Sequence, residues 1–134
     1  MGKGICLVLS LMLMLSLVTV ANAESDIMPC YAYVSSLSAS LSINSGTAKA
    51  AGRIVADPSH EASITVRLQR QNSSGTWVTI SSWADSNSNG SSEAGGTKAI
   101  TSGYDYRVYV TGKVYNSAGT VIETVNKYST TKSY

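Results

Sequence analysis

Phenylalanine is absent from this 134-residue chain, histidine occurs once, cysteine and proline occur twice each, and charged residues make up only 13%. Each scarcity removes a class of function. One histidine and at most two cysteines cannot furnish a four-ligand zinc site of the His/Cys kind. The single histidine, His60, lies in the turn sequence Asp57-Pro58-Ser59-His60 beside Glu61, where a solvated imidazole is expected. A serine nucleophile on a Gly-x-Ser-x-Gly elbow is also missing, since the nearest segment, Gly90-Ser91-Ser92-Glu93-Ala94-Gly95, does not fit. With only eight acidic residues, all scattered, the carboxylate pair of glycoside cleavage is left as a distant reading, since sequence alone does not exclude it. The basic residues (among them Lys49, Arg53, Arg67, Arg70, Lys98 and Lys132) are equally dispersed, so no nucleic-acid surface is expected. No enzyme and no cofactor are expected from this inventory.

Long apolar runs are lacking too, except one. Residues 5–20 follow Lys3 and precede Ala21-Asn22-Ala23, which is the layout of a secretory signal peptide with small residues at the cleavage site. At 16 residues the run falls short of the ~20 that a permanent span needs. Cleavage after Ala23 is expected, leaving residues 24–134 as one secreted, extracellular domain without permanent membrane insertion. Removal of Lys3 leaves nine basic against eight acidic residues, close to neutral. Cys6 departs with the leader, so Cys30 has no internal disulfide partner and the fold must stand uncrosslinked. Three roles remain open for Cys30: a buried small apolar side chain, a reactive thiol, or the bridge of a disulfide dimer.

What the chain does contain is alternation with period two. From Ile100 to Tyr115 the residues Tyr104, Tyr106, Val108 and Val110 share one face, expected to be core, while Asp105, Arg107, Tyr109, Thr111 and Lys113 share the other. Asn116-Ser117-Ala118-Gly119 supplies a turn, and residues 120–128 supply an antiparallel partner rich in β-branched residues. Leu37, Ala39, Leu41 and Ile43 alternate with serines; Ala48, Ala50, Gly52 and Ile54 form a weaker set; Ile64, Val66 and Leu68 form a strong one. Between residues 76 and 83 the parity is ambiguous, because Trp77 and Trp83 fall on one face while Val78 and Ile80 fall on the other. Residues 84–96, rich in Ser, Asn and Gly, read as a long loop or a loop with a frayed edge strand. Seven or eight strands at roughly ten-residue spacing, with no helical pattern after residue 23, predict an antiparallel sandwich or barrel.

Gly103-Tyr104-Asp105-Tyr106-Arg107-Val108-Tyr109-Val110 resembles the penultimate strand of fibronectin type III and related immunoglobulin-like sandwiches. The resemblance implies an all-β, immunoglobulin-like sandwich of about seven strands in which Tyr106 is a corner tyrosine bonded to backbone a few residues upstream. Tyr106, Trp77 and Trp83 are accordingly assigned structural roles. The wider spacing of Leu68-Gln69, Trp77, Ser82-Trp83, Gly103-Tyr104, Tyr106-Arg107, Tyr115 and Glu123 is similar to that of small secreted proteins from Gram-positive gut bacteria with no assigned function. That resemblance implies a source and an address and carries no catalytic residue.

Two candidate sites follow from the residues. Asp85-Ser86-Asn87-Ser88-Asn89-Gly90 matches the first half of a calcium loop, with oxygen donors at Asp85, Asn87 and Asn89 and glycine at the sixth position. Its second half fails, because Gly96 stands where a bidentate glutamate belongs and Glu93 is the remaining acid; ordinary Asn/Ser/Gly loop composition is the preferred account of the stretch, and the calcium site a weak candidate. The second candidate is a ligand face made of Arg107, Tyr109, Lys113 and Tyr115, outward if Tyr106 is inward, suited to an extracellular protein or glycan. The expected function is therefore non-enzymatic extracellular binding or surface interaction. The alternative is a secreted effector of the bacteriocin or toxin kind, for which the discriminating observation is membrane leakage or growth inhibition.

Overall fold

A computed structural model describes residues 31–134, and its compact unit runs from Tyr33 to Tyr134. The expected signal segment and Cys30 lie outside the described residues. Seven long strands follow one another: β1 (Val34–Asn44), β2 (Thr47–Ala56), β3 (Glu61–Gln71), β4 (Trp77–Asn87), β5 (Ser91–Ala99), β6 (Asp105–Tyr115) and β7 (Val121–Tyr128). A two-residue β8 (Lys132–Ser133) ends the series. All pairings are antiparallel, in a three-stranded sheet ordered β1-β2-β5 and a larger sheet ordered β4-β3-β6-β7, with β8 also pairing β6. This is an immunoglobulin-like sandwich of the fibronectin type III kind, with the fourth strand on the larger sheet.

The alternating sequences make the core. Ile64, Val66 and Leu68 of β3 and Tyr106, Val108, Val110 and Val114 of β6 meet Leu41, Ala48, Ala50 and Ile54 of the smaller sheet, all of them buried. Small residues face large ones across the gap. A Cβ on Gly52 would lie 2.8 Å from Val66 and Val110, and one on Gly112 would lie 2.7 Å from Ile54, so glycine permits the two sheets to close at these points. At one side of the sandwich the Glu123 carboxylate accepts the Val34 N–H at 2.9 Å, and Lys127 Nζ donates to the Leu37 carbonyl at 3.2 Å. These bonds tie β7 to β1 across the two sheets.

Tyr106 is fully buried, and its hydroxyl donates to the Thr101 carbonyl (2.6 Å) while accepting the Thr101 N–H (3.1 Å). The corner role that the resemblance implies for it is therefore realised. Tyr104 departs from the expected pattern: β6 begins at Asp105, so Tyr104 stands before the strand and is exposed, with the Arg70 guanidinium 4.5 Å from its ring centroid.

Of the two readings of the stretch 84–96, the long loop is corrected, while the edge strand is present and longer than expected. β4 runs through to Asn87, residues 88–90 turn, and β5 pairs with β2 from Ser91 to Ala99. Its glycines are required by close approach. A Cβ on Gly96 would come within 2.3 Å of the Trp83 indole nitrogen, and one on Gly90, which is buried at φ 77°, within 2.3 Å of the Asp57 carbonyl.

A bulge resolves the ambiguous parity of β4. Ser81 pairs with Leu68 but Thr79 pairs with the next residue, Gln69, so Ile80 is the extra residue. Directly opposed residues share a face, which puts Trp83, opposite Val66, on the inner side and Trp77, opposite Gln71, on the outer side. Trp83 packs against the core as a structural residue should. Trp77 does not, and belongs to the outer face.

Candidate binding face on the larger sheet

Outward positions of β3 and β6 alternate with the core positions, and each carries a polar, charged or tyrosine side chain. Across β3, β6 and β7 the register sets Arg67 opposite Tyr109 and Tyr109 opposite Tyr128, while Gln69 lies opposite Arg107. The side chains stack in a row. The Arg107 guanidinium lies 4.2 Å from the Trp77 ring centroid and 4.2 Å from that of Tyr128. Tyr128 in turn stacks on Tyr109, with centroids 4.6 Å apart and planes at 17°, and Arg67 sits 5.6 Å from the Tyr109 centroid. The order is thus Trp77, Arg107, Tyr128, Tyr109, Arg67: two cations held among three rings.

Hydrogen bonds fix this row from below. Arg107 Nε donates to Gln69 Oε1 at 2.8 Å, and Arg67 donates to Thr111 Oγ1 at 3.1 Å. The Tyr109 and Thr111 hydroxyls both donate to Asn126 Oδ1, at 3.0 and 2.9 Å. A guanidinium between two ring faces gains cation–π attraction and loses rotamer freedom before any ligand arrives. The rings stand side by side, so their edges and hydroxyls, more than their faces, meet solvent.

Of the four residues expected to form a ligand face, Arg107 and Tyr109 are brought together in this row. Lys113 and Tyr115 share the outward side but lie farther along β6; six residues of strand separate Tyr109 from Tyr115 by roughly 20 Å. The Tyr115 hydroxyl is bonded to Ser63 Oγ at 2.9 Å, and Lys113 is exposed. Sequence reasoning missed Arg67, Tyr128 and Asn126, and placed Trp77 in a structural role. The alternation of β3 already turned Arg67 outward, whereas Tyr128 and Trp77 are joined to the row only through cross-strand register.

The calcium pattern is not assembled. Asp85 lies on β4 opposite Ile64 and accepts from the Ser92 hydroxyl (3.2 Å), while Asn89 Oδ1 accepts the Ser91 N–H (3.1 Å) within its own turn. Asn87 ends β4, and Glu93 lies on β5 opposite Arg53. Two strands meeting at a tight turn replace the twelve-residue loop that such a site needs. No group of three or more His, Cys, Asp or Glu side chains comes together among the described residues.

His60 occupies a separate corner. The Ser59 hydroxyl donates to Asp57 Oδ1 (2.6 Å) and is 3.1 Å from His60 Nδ1, while the Asp57 carboxylate lies 3.8 Å from that nitrogen. Hydrogen bonds from the Ser59 hydroxyl, then from its backbone N–H (2.9 Å), hold the Asp57 carboxyl below its usual range, with His60 adding a smaller effect. The serine hydroxyl is thus spent on the carboxylate, and the imidazole packs 4.8 Å from the Tyr33 ring. This arrangement holds the turn after β2 against the start of β1.

No family model matches this chain, and no curated protein matches it significantly. Among solved structures, chains of a β-glucuronidase from Ruminococcus gnavus, in complex with D-glucuronic acid and with uronic deoxynojirimycin, are similar at a TM-score of 0.37 and 14% identity. The match covers 71% of this chain and 15% of that one, so the chain corresponds to a small part of the glucuronidase's length.

Proposed function

We propose that the protein is a secreted, non-enzymatic binding module that engages an extracellular protein or glycan through the outer face of β3, β6 and β7. One observation carries this reading: the row from Trp77 to Arg67 places two cations and three aromatic rings on solvent-facing positions, fixed by side-chain bonds, where the fold itself requires nothing so specific. Rings and arginines held rigid in advance cost little ordering entropy on association, and these residue types dominate recognition surfaces. The leader-like residues 1–23 support secretion. The engagement of the Ser59 hydroxyl with Asp57 supports a structural turn over a nucleophile.

The test is a set of titrations of the isotope-labelled purified protein with extracellular polymers, neutral and charged glycans and polypeptides, followed by backbone amide shifts. The reading expects perturbations gathered on outward residues of β3, β6 and β7. Perturbations on the smaller sheet alone, or none with any polymer, would overturn it.

A further inference from the structure

We propose that the row is an anion reader whose ligand is a carboxylate-bearing polysaccharide, with Arg107 as the bidentate fork and Arg67 as a second contact; this rests on the binding reading above. The Arg107 guanidinium is gripped on both faces by Trp77 and Tyr128, and its Nε is committed to Gln69. Among the described residues none accepts from its two terminal nitrogens, which are the pair that meets a carboxylate side by side. A fork clamped in one plane gives up little freedom on binding, and geometry of this kind distinguishes arginine from lysine.

Charge on this face is unbalanced. Arg67, Arg107 and Lys113 project from it against Glu61 and Asp105 at its two ends, and the sole ion pair among the described residues is His60 with Asp57, at another corner. Asp105, at the near end of β6, accepts from the Ser133 hydroxyl and keeps its charge, but forms no ion pair with Arg107. Three cations without carboxylate partners complement a repeating anion. The spacings along the row, 5.6, 4.6 and 4.2 Å, limit the two guanidinium carbons to about 14 Å apart, so one extended chain can reach both.

Trp, Tyr and Arg serve protein and sugar partners alike, and the polar groups around the row favour sugar. Outward positions of β3 and β6 offer no aliphatic side chain, and on β7 the exposed Val121 lies opposite Tyr115, at the far end of the face from Arg107. Instead, Gln69, Thr79, Thr111, Asn126 and the tyrosine hydroxyls supply the amides and hydroxyls that hydrogen-bond sugar. An open sheet surface suits a linear polymer laid across it.

The decisive experiment measures affinity of the purified protein for polygalacturonate, for a neutral polymer (dextran) and for polyglutamate, with Arg107→Lys and Lys113→Gln variants, at low and high salt. Expected are binding to polygalacturonate that weakens with salt, far weaker binding to dextran and polyglutamate, and a loss of about tenfold in Arg107→Lys, the size of one charge-assisted hydrogen bond. Lys113→Gln is expected to lose less. Unchanged affinity in Arg107→Lys overturns the fork, and equal binding of polyglutamate overturns the polysaccharide. Preference for dextran, with amide shifts still on β3, β6 and β7, overturns the anion assignment and leaves the binding face standing. Amide shifts absent with all three polymers overturn the anion assignment, and silence across the full polymer set above overturns the binding face with it.

Discussion

The two faces of β6 are made by the same eleven residues and could hardly differ more. Inward, Tyr106, Val108, Val110 and Val114 are each 0% exposed and pack into the core. Outward, Arg107 and Tyr109 form a stacked row with Trp77, Tyr128 and Arg67, held by Gln69, Thr111 and Asn126. Burial of apolar area does not depend on which partner supplies it, so the inner face needs only volume and pattern. The outer face depends on particular donors, acceptors and rings. The comparison teaches that the pleat of one strand can give a buried core to one side and an ordered polar and aromatic row, the proposed recognition surface, to the other.

The comparison breaks most visibly if the inner face tolerates truncation. Leu68→Ala should cost about 3 kcal/mol of unfolding free energy, whereas Tyr128→Ala, half exposed on the other side, should cost no more than about 1 kcal/mol. Denaturant titration of both variants checks the contrast, and equal costs would erase it. Next in size is Gly96→Ala, expected to lose about 1–3 kcal/mol because the new methyl meets the Trp83 indole. Its thermal melt, accompanied by a change in Trp83 fluorescence, is the readout.

Tyr106→Phe sharpens the comparison, since it keeps the buried ring and removes one hydroxyl. With the Thr101 carbonyl and N–H both losing that partner, a loss of about 1–2 kcal/mol is expected. The smallest effect concerns Asp57. Its folded-state pKa is lowered, so its contribution is present above the ordinary value of 3.8 and is lost as pH falls through the lower folded value. Asp57→Asn should flatten that part of the acid limb and leave stability near neutrality little changed in its pH dependence.

How much of this was legible beforehand depended on whether a segment's role was local. β3 and β6 announce themselves, because Ile64, Val66, Leu68 and Val108, Val110 alternate strictly with polar residues, and the inward parity of Tyr106 fixed the outward parity of Arg107 and Tyr109. β5 does not. Ser91–Ala99 has little strand propensity of its own; pairing with β2 and the space that Trp83 demands make it a strand, and both are non-local. Tyr104 misled because the alternation continues one pair beyond the point where the chain leaves the sheet. Trp77 misled because a bulge at Ile80 reverses the face of everything before it, and nothing in the residues 76–83 marks that position. The outward parity of three of the five row residues, Arg67, Arg107 and Tyr109, was therefore readable, and the two contributed by β4 and β7 waited on register.

The account depends above all on Arg107 being held between Trp77 and Tyr128. The most direct measurement is the Arg107 Nε–Hε resonance, compared in the native protein and in Trp77→Ala and Tyr128→Ala variants. Ring currents from two faces predict a resonance shifted upfield in the native protein, moving part of the way back in each variant. A resonance at the position of an ordinary solvated arginine, the same in all three proteins, would contradict the row and the recognition surface built on it.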